Sequence, residues 1–117
     1  MNVRECYDAI KGDYEEVKRR FLTDARIRRF ALLFLRDSSM EELRAAMKEK
    51  NCEKAFQAAH TLKGVCLNLG FTDLYRPVNI ITELLRAGEY EKVLAEMEEV
   101  ENGYAIAEKG LRELEQS

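Results

Sequence analysis

The sequence predicts an all-α protein, an up-down-up-down four-helix bundle with an additional short N-terminal helix. Only one Pro and six Gly occur in 117 residues, which is too little turn chemistry for an all-β fold. The composition is rich in Ala, Leu, Glu, Lys and Arg, which are good helix formers. Apolar residues recur at intervals of three, four and seven, and the intervening loops are short, so consecutive long helices become antiparallel neighbours.

Two short helices are expected in the N-terminal segment, residues 3–21. The first covers residues 3–11 and is closed by Gly12. The second covers residues 14–21 and is capped by Asp13.

The remaining residues, 24–115, are expected to form the bundle, and residues 1–117 to form a single domain. A helix starting at Thr23 or Asp24 continues to Lys50, with a kink allowed at Ser38 and Ser39 but no break. The helix over residues 52–69 lies between the N-cap Asn51 and the C-terminal Gly70.

The last two helices contain residues that disfavour helix interiors. One opens at Thr72 or Asp73 and ends at Gly88; Pro77 is harmless if the helix begins near Arg76, and otherwise distorts the first turn. The other covers residues 90–114, where Gly103 and Gly110 permit a bend or fraying.

Charge and composition exclude several classes of function. A net charge of -3 leaves no electrostatic footprint for nucleic acid, and no apolar run approaches the roughly 18 residues that cross a membrane. The N-terminus lacks signal-peptide character, and three cysteines without CxxC spacing predict reduced thiols in a cytoplasmic protein. A single His excludes a multi-His metal cluster, so no metal site is expected.

The helix over residues 52–69 carries the candidate site. At 100° per residue, His60 lies about 160° from Leu62 and therefore faces solvent. The opposite stripe is expected to be buried, and consists of Ala55, Ala58, Ala59, Leu62, Val65, Cys66 and Leu69.

The neighbours of His60 distinguish it from an idle surface histidine. Lys63 and Gly64 lie one turn further along the same face. Lys63 offers a cation, although a solvated Lys is the alternative; Gly64 leaves a notch for a close approach, although neutral drift is the alternative. Phe56 and Leu67 add an apolar rim, unless Phe56 contacts the N-terminal helices.

An exposed nucleophile with a nearby cation fits a covalent carrier. The chain has no second His, no cluster of Mg²⁺-binding carboxylates and no Gly-rich nucleotide loop. Such a chain depends on other proteins to load and unload it.

The stretch Ala59-His60-Thr61-Leu62-Lys63-Gly64, continuing to Asn68-Leu69-Gly70, resembles the signature of histidine-containing phosphotransfer (HPt) domains. The resemblance extends more loosely over most of the chain. It implies that His60 is the phospho-acceptor through Nε2, that Lys63 steadies the phosphoryl oxygens, and that Gly64 gives clearance to the docking partner. Binding contacts are expected from Phe56, Gln57 and Leu67.

The resemblance is incomplete on the following helix. Family members often place Gln or Glu 22 residues after the His, where it hydrogen-bonds the other ring nitrogen. This sequence has Thr82 there. Asn79, Glu83 or a water are the other candidates for orienting the ring.

The implied function is that of a phosphorelay intermediate, a phosphocarrier rather than an enzyme. The expected partners are a response-regulator receiver domain and a hybrid sensor histidine kinase, with Mg²⁺ held by the receiver and no cofactor in this chain. A monomer is expected. The alternatives are an adaptor or kinase inhibitor that binds by the same face without passing phosphate, and a small hydrolytic or metal enzyme.

Overall fold

The structure, a computed structural model, describes residues 1–117 and contains helices without any strand. The all-α prediction is therefore confirmed. One turn of 3-10 helix, Phe34–Arg36, accompanies seven α-helices: α1 Val3–Ile10, α2 Tyr14–Phe21, α3 Asp24–Leu33, α4 Ser39–Lys48, α5 Cys52–Leu69, α6 Thr72–Arg86 and α7 Tyr90–Glu115. None of these helices is long and apolar enough to cross a bilayer.

The long helices pack side by side in chain order, α4 on α5, α5 on α6 and α6 on α7. The two ends of the series are joined by Arg44 of α4, whose guanidinium donates to Glu101 of α7 at 2.7 Å. The N-terminal helices α1 and α3 pack on α7. All seven helices contribute to one core of 29 buried residues.

The predicted continuous helix over residues 24–50 is wrong. The chain leaves the helical conformation at Asp37, which has φ -72° and ψ 134°, and α4 begins two residues later. The Asp37 carboxylate accepts hydrogen bonds from the backbone N–H of Ser39, at 3.0 Å, and from its hydroxyl. A short acceptor side chain thus starts a new helix instead of letting the old one continue.

Helix α1 ends one residue earlier than predicted, because Lys11 rather than Gly12 adopts the left-handed conformation, with φ 56°. Gly12 serves close packing instead: a Cβ there would lie 2.7 Å from the Tyr7 ring and 2.8 Å from the Gly70 carbonyl. The Tyr7 hydroxyl donates to the Leu69 carbonyl at 2.7 Å. These contacts attach α1 to the C-terminal end of α5.

Helix α6 begins upstream of Pro77, so Pro77 lies inside the helix and the Asp73 carbonyl loses its usual N–H partner. Helix α7 is continuous through both of its glycines. Gly103 and Gly110 admit neighbouring helices: a Cβ would lie 3.2 Å from Leu74 of α6 and 2.4 Å from Ile10 of α1, respectively.

Substitution of Gly110 by Ala is expected to destabilise the protein by about 1–3 kcal/mol, because the added methyl group overlaps the buried Ile10 side chain. Urea denaturation followed by circular dichroism measures this change in the free energy of unfolding. An unchanged or increased stability would show that α1 does not pack on α7 as described.

Candidate functional site

Both ends of α5 are fixed as the sequence predicted. The Asn51 side chain accepts a hydrogen bond from the Lys54 N–H at 3.0 Å, and Gly70 ends the helix with φ 68°. The face expected to be buried is buried except for Val65, which is half-buried. The rotation of α5 about its axis therefore leaves His60 exposed, in the middle of the helix.

The imidazole of His60 lies against the ring of Phe56, one turn earlier. The two rings are stacked, with centroids 5.7 Å apart and planes inclined by 11°. Phe56 is half-buried, and the Arg86 guanidinium of α6 lies 4.9 Å from its ring centroid. The apolar neighbour of His60 is thus itself packed against α6, and it limits the orientations open to the imidazole.

The Lys63 side chain turns toward α6 instead of into open solvent. Its Nζ lies 3.8 Å from Oε2 of Glu83, and only 23% of the side chain is exposed. Glu83 also accepts a hydrogen bond from Nε of Arg86 at 3.3 Å. One carboxylate thus lies between two cations, on the side of α6 that borders the His60 face.

Gly64 differs from the other glycines, because nothing lies within 4 Å of the position that its Cβ would occupy and it has no left-handed backbone. It is exposed in the interior of α5, one turn beyond His60. Each of the others meets a neighbour at close range, adopts positive φ, or both: Gly12, Gly70, Gly88, Gly103 and Gly110. The fold of this chain therefore gives no reason for the glycine at position 64.

The remaining predicted contact residues share this exposed face. Gln57 and Leu67 are exposed, Leu67 by 54%. Gln57 and Thr61 also line an open groove of about 520 Å³ between α4 and α5. His60 is thus surrounded by open surface with an apolar rim, rather than lying in a substrate cleft.

The three candidates for orienting the imidazole are placed differently. Thr82 is fully buried, and its hydroxyl donates to the Val78 carbonyl at 2.7 Å and forms no hydrogen bond with His60. The short β-branched residue at this position satisfies its hydroxyl within α6. A role of Thr82 in orienting the imidazole stays a prediction. Asn79 is half-buried on α6, and Glu83 is exposed and engaged with Lys63 and Arg86.

Two contacts of the Phe56 ring escaped the sequence interpretation. The spacing of four residues between Phe56 and His60 is the signal that predicts an aromatic contact on one helix face. The position of Arg86 depends on how α6 is rotated against α5, for which the sequence carries no local signal.

No group of three or more His, Cys, Asp or Glu side chains is placed to hold a metal ion. All three cysteines are free, and burial raises the pKa of Cys66 to about 12 and that of Cys6 to about 11. Such thiols stay protonated near neutral pH and are poor nucleophiles. The exposed imidazole of His60 is suited to forming a covalent bond with a group brought by another molecule.

Substitution of Gly64 by Ala is expected to raise the free energy of unfolding by about 1 kcal/mol, because Ala favours a helix interior and the space is open. The same denaturation experiment checks this, with Gly110→Ala as the control of opposite sign. A destabilised Gly64→Ala protein would contradict the open notch.

The sequence model of the Hpt domain matches residues 16–116, from α2 into the residue after α7. No curated protein and no solved structure gives a significant match to the chain. The family match covers most of the chain and includes α5 with its exposed histidine. We conclude that the chain belongs to the Hpt domain family, whose members carry phosphoryl groups on histidine and interact with receiver domains and histidine kinases.

Proposed function

We propose that this chain is a phosphorelay intermediate that accepts a phosphoryl group on His60 from a receiver phospho-aspartate, or from a kinase, and passes it to another receiver aspartate. The observation that carries the proposal is the exposed imidazole one turn from Gly64. The space beside Gly64 is empty, and the fold does not require a glycine there. A helix interior without a side chain at that position lets another protein come close to the nucleophile.

The chemical step requires little from this chain beyond position and charge. The lone pair of Nε2 attacks phosphorus in line, the P–O bond to the aspartate breaks, and the electron pair leaves with the carboxylate. The exposed helix face holds the imidazole ready for that approach, which lowers the entropic cost of the reaction. Transfer in the other direction follows the same path.

Lys63 is the residue that stabilises the transferred phosphoryl group. Lys63 lies three residues after His60 on the same side of α5, so its ammonium can reach the oxygens of a phosphoryl group bonded to Nε2. The Mg²⁺ that such transfers use is expected in the receiver, beside its aspartate. Phe56, Gln57 and Leu67 form the docking surface around the nucleophile.

The buried position of Thr82 favours a second candidate, an adaptor or kinase inhibitor that uses the same face without passing phosphate. A hydrogen-bonding side chain that holds the imidazole in one tautomer would favour transfer, and Thr82 forms no such hydrogen bond. Stacking on Phe56 restricts the ring but leaves its tautomer open. The two candidates differ in whether His60 becomes phosphorylated.

Substitution of His60 by Gln is expected to abolish labelling. The purified protein is incubated with Mg²⁺ and receiver domains that carry a radioactive phosphoryl group, and acid-labile label on this chain is measured. The matched control is Thr61→Ala, since the Thr61 hydroxyl donates only to the Gln57 carbonyl of its own helix, at 3.1 Å. Equal labelling of His60→Gln would contradict the proposal, and binding without labelling of the wild type would favour the adaptor.

Substitution of Lys63 by Ala is expected to slow transfer about 10- to 100-fold, the loss that follows removal of one charge-assisted contact. Rapid-quench kinetics with the same phosphorylated receiver measures the rate. Lys63→Arg retains a cation and is expected to recover most of it. Transfer at the wild-type rate in Lys63→Ala would exclude Lys63 from the transfer step.

A further inference from the structure

Three charged side chains, Lys63, Glu83 and Arg86, lie next to one another between the His60 face of α5 and α6. Lys63 Nζ lies 3.8 Å from one oxygen of Glu83, and Arg86 Nε lies 3.3 Å from the other. The same Arg86 guanidinium lies over Phe56, the ring on which His60 is stacked. The carboxylate of Glu83 is the only negative charge in this cluster of side chains.

Lys63 is within reach of two alternative partners. Its side chain begins on the same side of α5 as His60, yet its ammonium now lies beside Glu83 of α6. At 3.8 Å, with half of the Glu83 side chain exposed, this is a loose ion pair that is broken at little cost in free energy. A phosphoryl group on His60 carries more negative charge than one carboxylate and offers three acceptor oxygens.

We propose, on the basis of the proposed function, that Glu83 is the counter-ion of Lys63 in the unphosphorylated protein. Glu83 then competes with the phosphoryl group on His60 for the Lys63 ammonium. Phosphorylation draws the Lys63 ammonium from Glu83 to the phosphoryl oxygens. Arg86 remains beside Glu83 and keeps the released carboxylate neutralised. Glu83 is therefore a positioning residue, which acts on the phosphoryl group through Lys63.

The consequence is a limit on how much Lys63 stabilises the phosphorylated form of His60. With Glu83 present, each phosphorylation breaks one ion pair and forms another. Without Glu83, Lys63 would have no counter-ion in the unphosphorylated protein. The contact between Lys63 and the phosphoryl group would then stabilise the phosphorylated state with no ion pair broken. A carrier that both accepts and donates is served by the weaker, exchangeable interaction, because excess stabilisation of phosphohistidine would slow its onward transfer.

The test uses the intact protein and phosphoramidate, a small donor that needs no docking surface. Its P–N bond breaks, ammonia leaves, and phosphorus bonds to the imidazole nitrogen. Titration of the phosphorylated imidazole near neutral pH, followed by ³¹P NMR, then reports the charges around it without acid cleavage of the P–N bond. Three proteins are compared first: the wild type, Glu83→Gln, and Glu53→Gln as the control, since Glu53 is exposed two turns before His60 on the same helix.

Glu83→Gln is expected to lower the pKa of the phosphorylated imidazole by about 0.2 to 0.7, because a freed Lys63 ammonium at the phosphoryl oxygens disfavours the imidazolium. Glu53→Gln should change it much less. In a protein that also carries Lys63→Gln, Glu83→Gln should change this pKa no more than Glu53→Gln does.

An equal pKa change in Glu83→Gln and Glu53→Gln, or a change that persists without Lys63, would overturn the role of Glu83. A wild-type protein that takes no phosphoryl group on His60 would instead overturn the proposed function.

Discussion

The packing of the small buried face of α5 is the constraint on which the candidate site depends. Ala55, Ala58 and Ala59 are buried where α4 and α6 pack against α5. Short side chains let neighbouring helices approach closely, and any rotation of α5 would replace them with larger or charged residues. Because this face is fixed, His60 and Gly64 must face outward. The same packing places α6 so that Glu83 and Arg86 border the exposed face.

Stability and the proposed activity have different requirements at position 64. Four glycines permit close packing with a neighbouring segment or helix: Gly12, Gly70, Gly103 and Gly110. Gly64 has no such contact, and a glycine there makes α5 less stable than alanine would by about 1 kcal/mol. That loss is small against the stability of a domain with one continuous core. It is the kind of local compromise expected where another protein must approach a reactive group.

The sequence predicted those features that depend on periodicity within one helix. The exposure of His60 and the caps Asn51 and Gly70 follow from the spacing along α5, and the structure agrees. The break at Asp37 escaped prediction because apolar residues continue at helical spacing across it, while the hydrogen bond that starts α4 needs a particular side-chain conformation. The pairing of Lys63 with Glu83 depends on the relative rotation of two helices, which one-dimensional spacing does not determine.

The central claim is that one exposed face of α5 serves both as docking surface and as phosphoryl carrier, with Gly64 needed for docking alone. The most direct measurement compares Gly, Ala, Val and Gln at position 64 with two phosphoryl donors, a phosphorylated receiver domain and phosphoramidate. Transfer from the receiver should fall steeply as the side chain grows, while labelling of His60 by phosphoramidate stays within about twofold, since no partner needs to approach. Receiver transfer that is insensitive to the size of residue 64, or a parallel loss with both donors, would contradict the account.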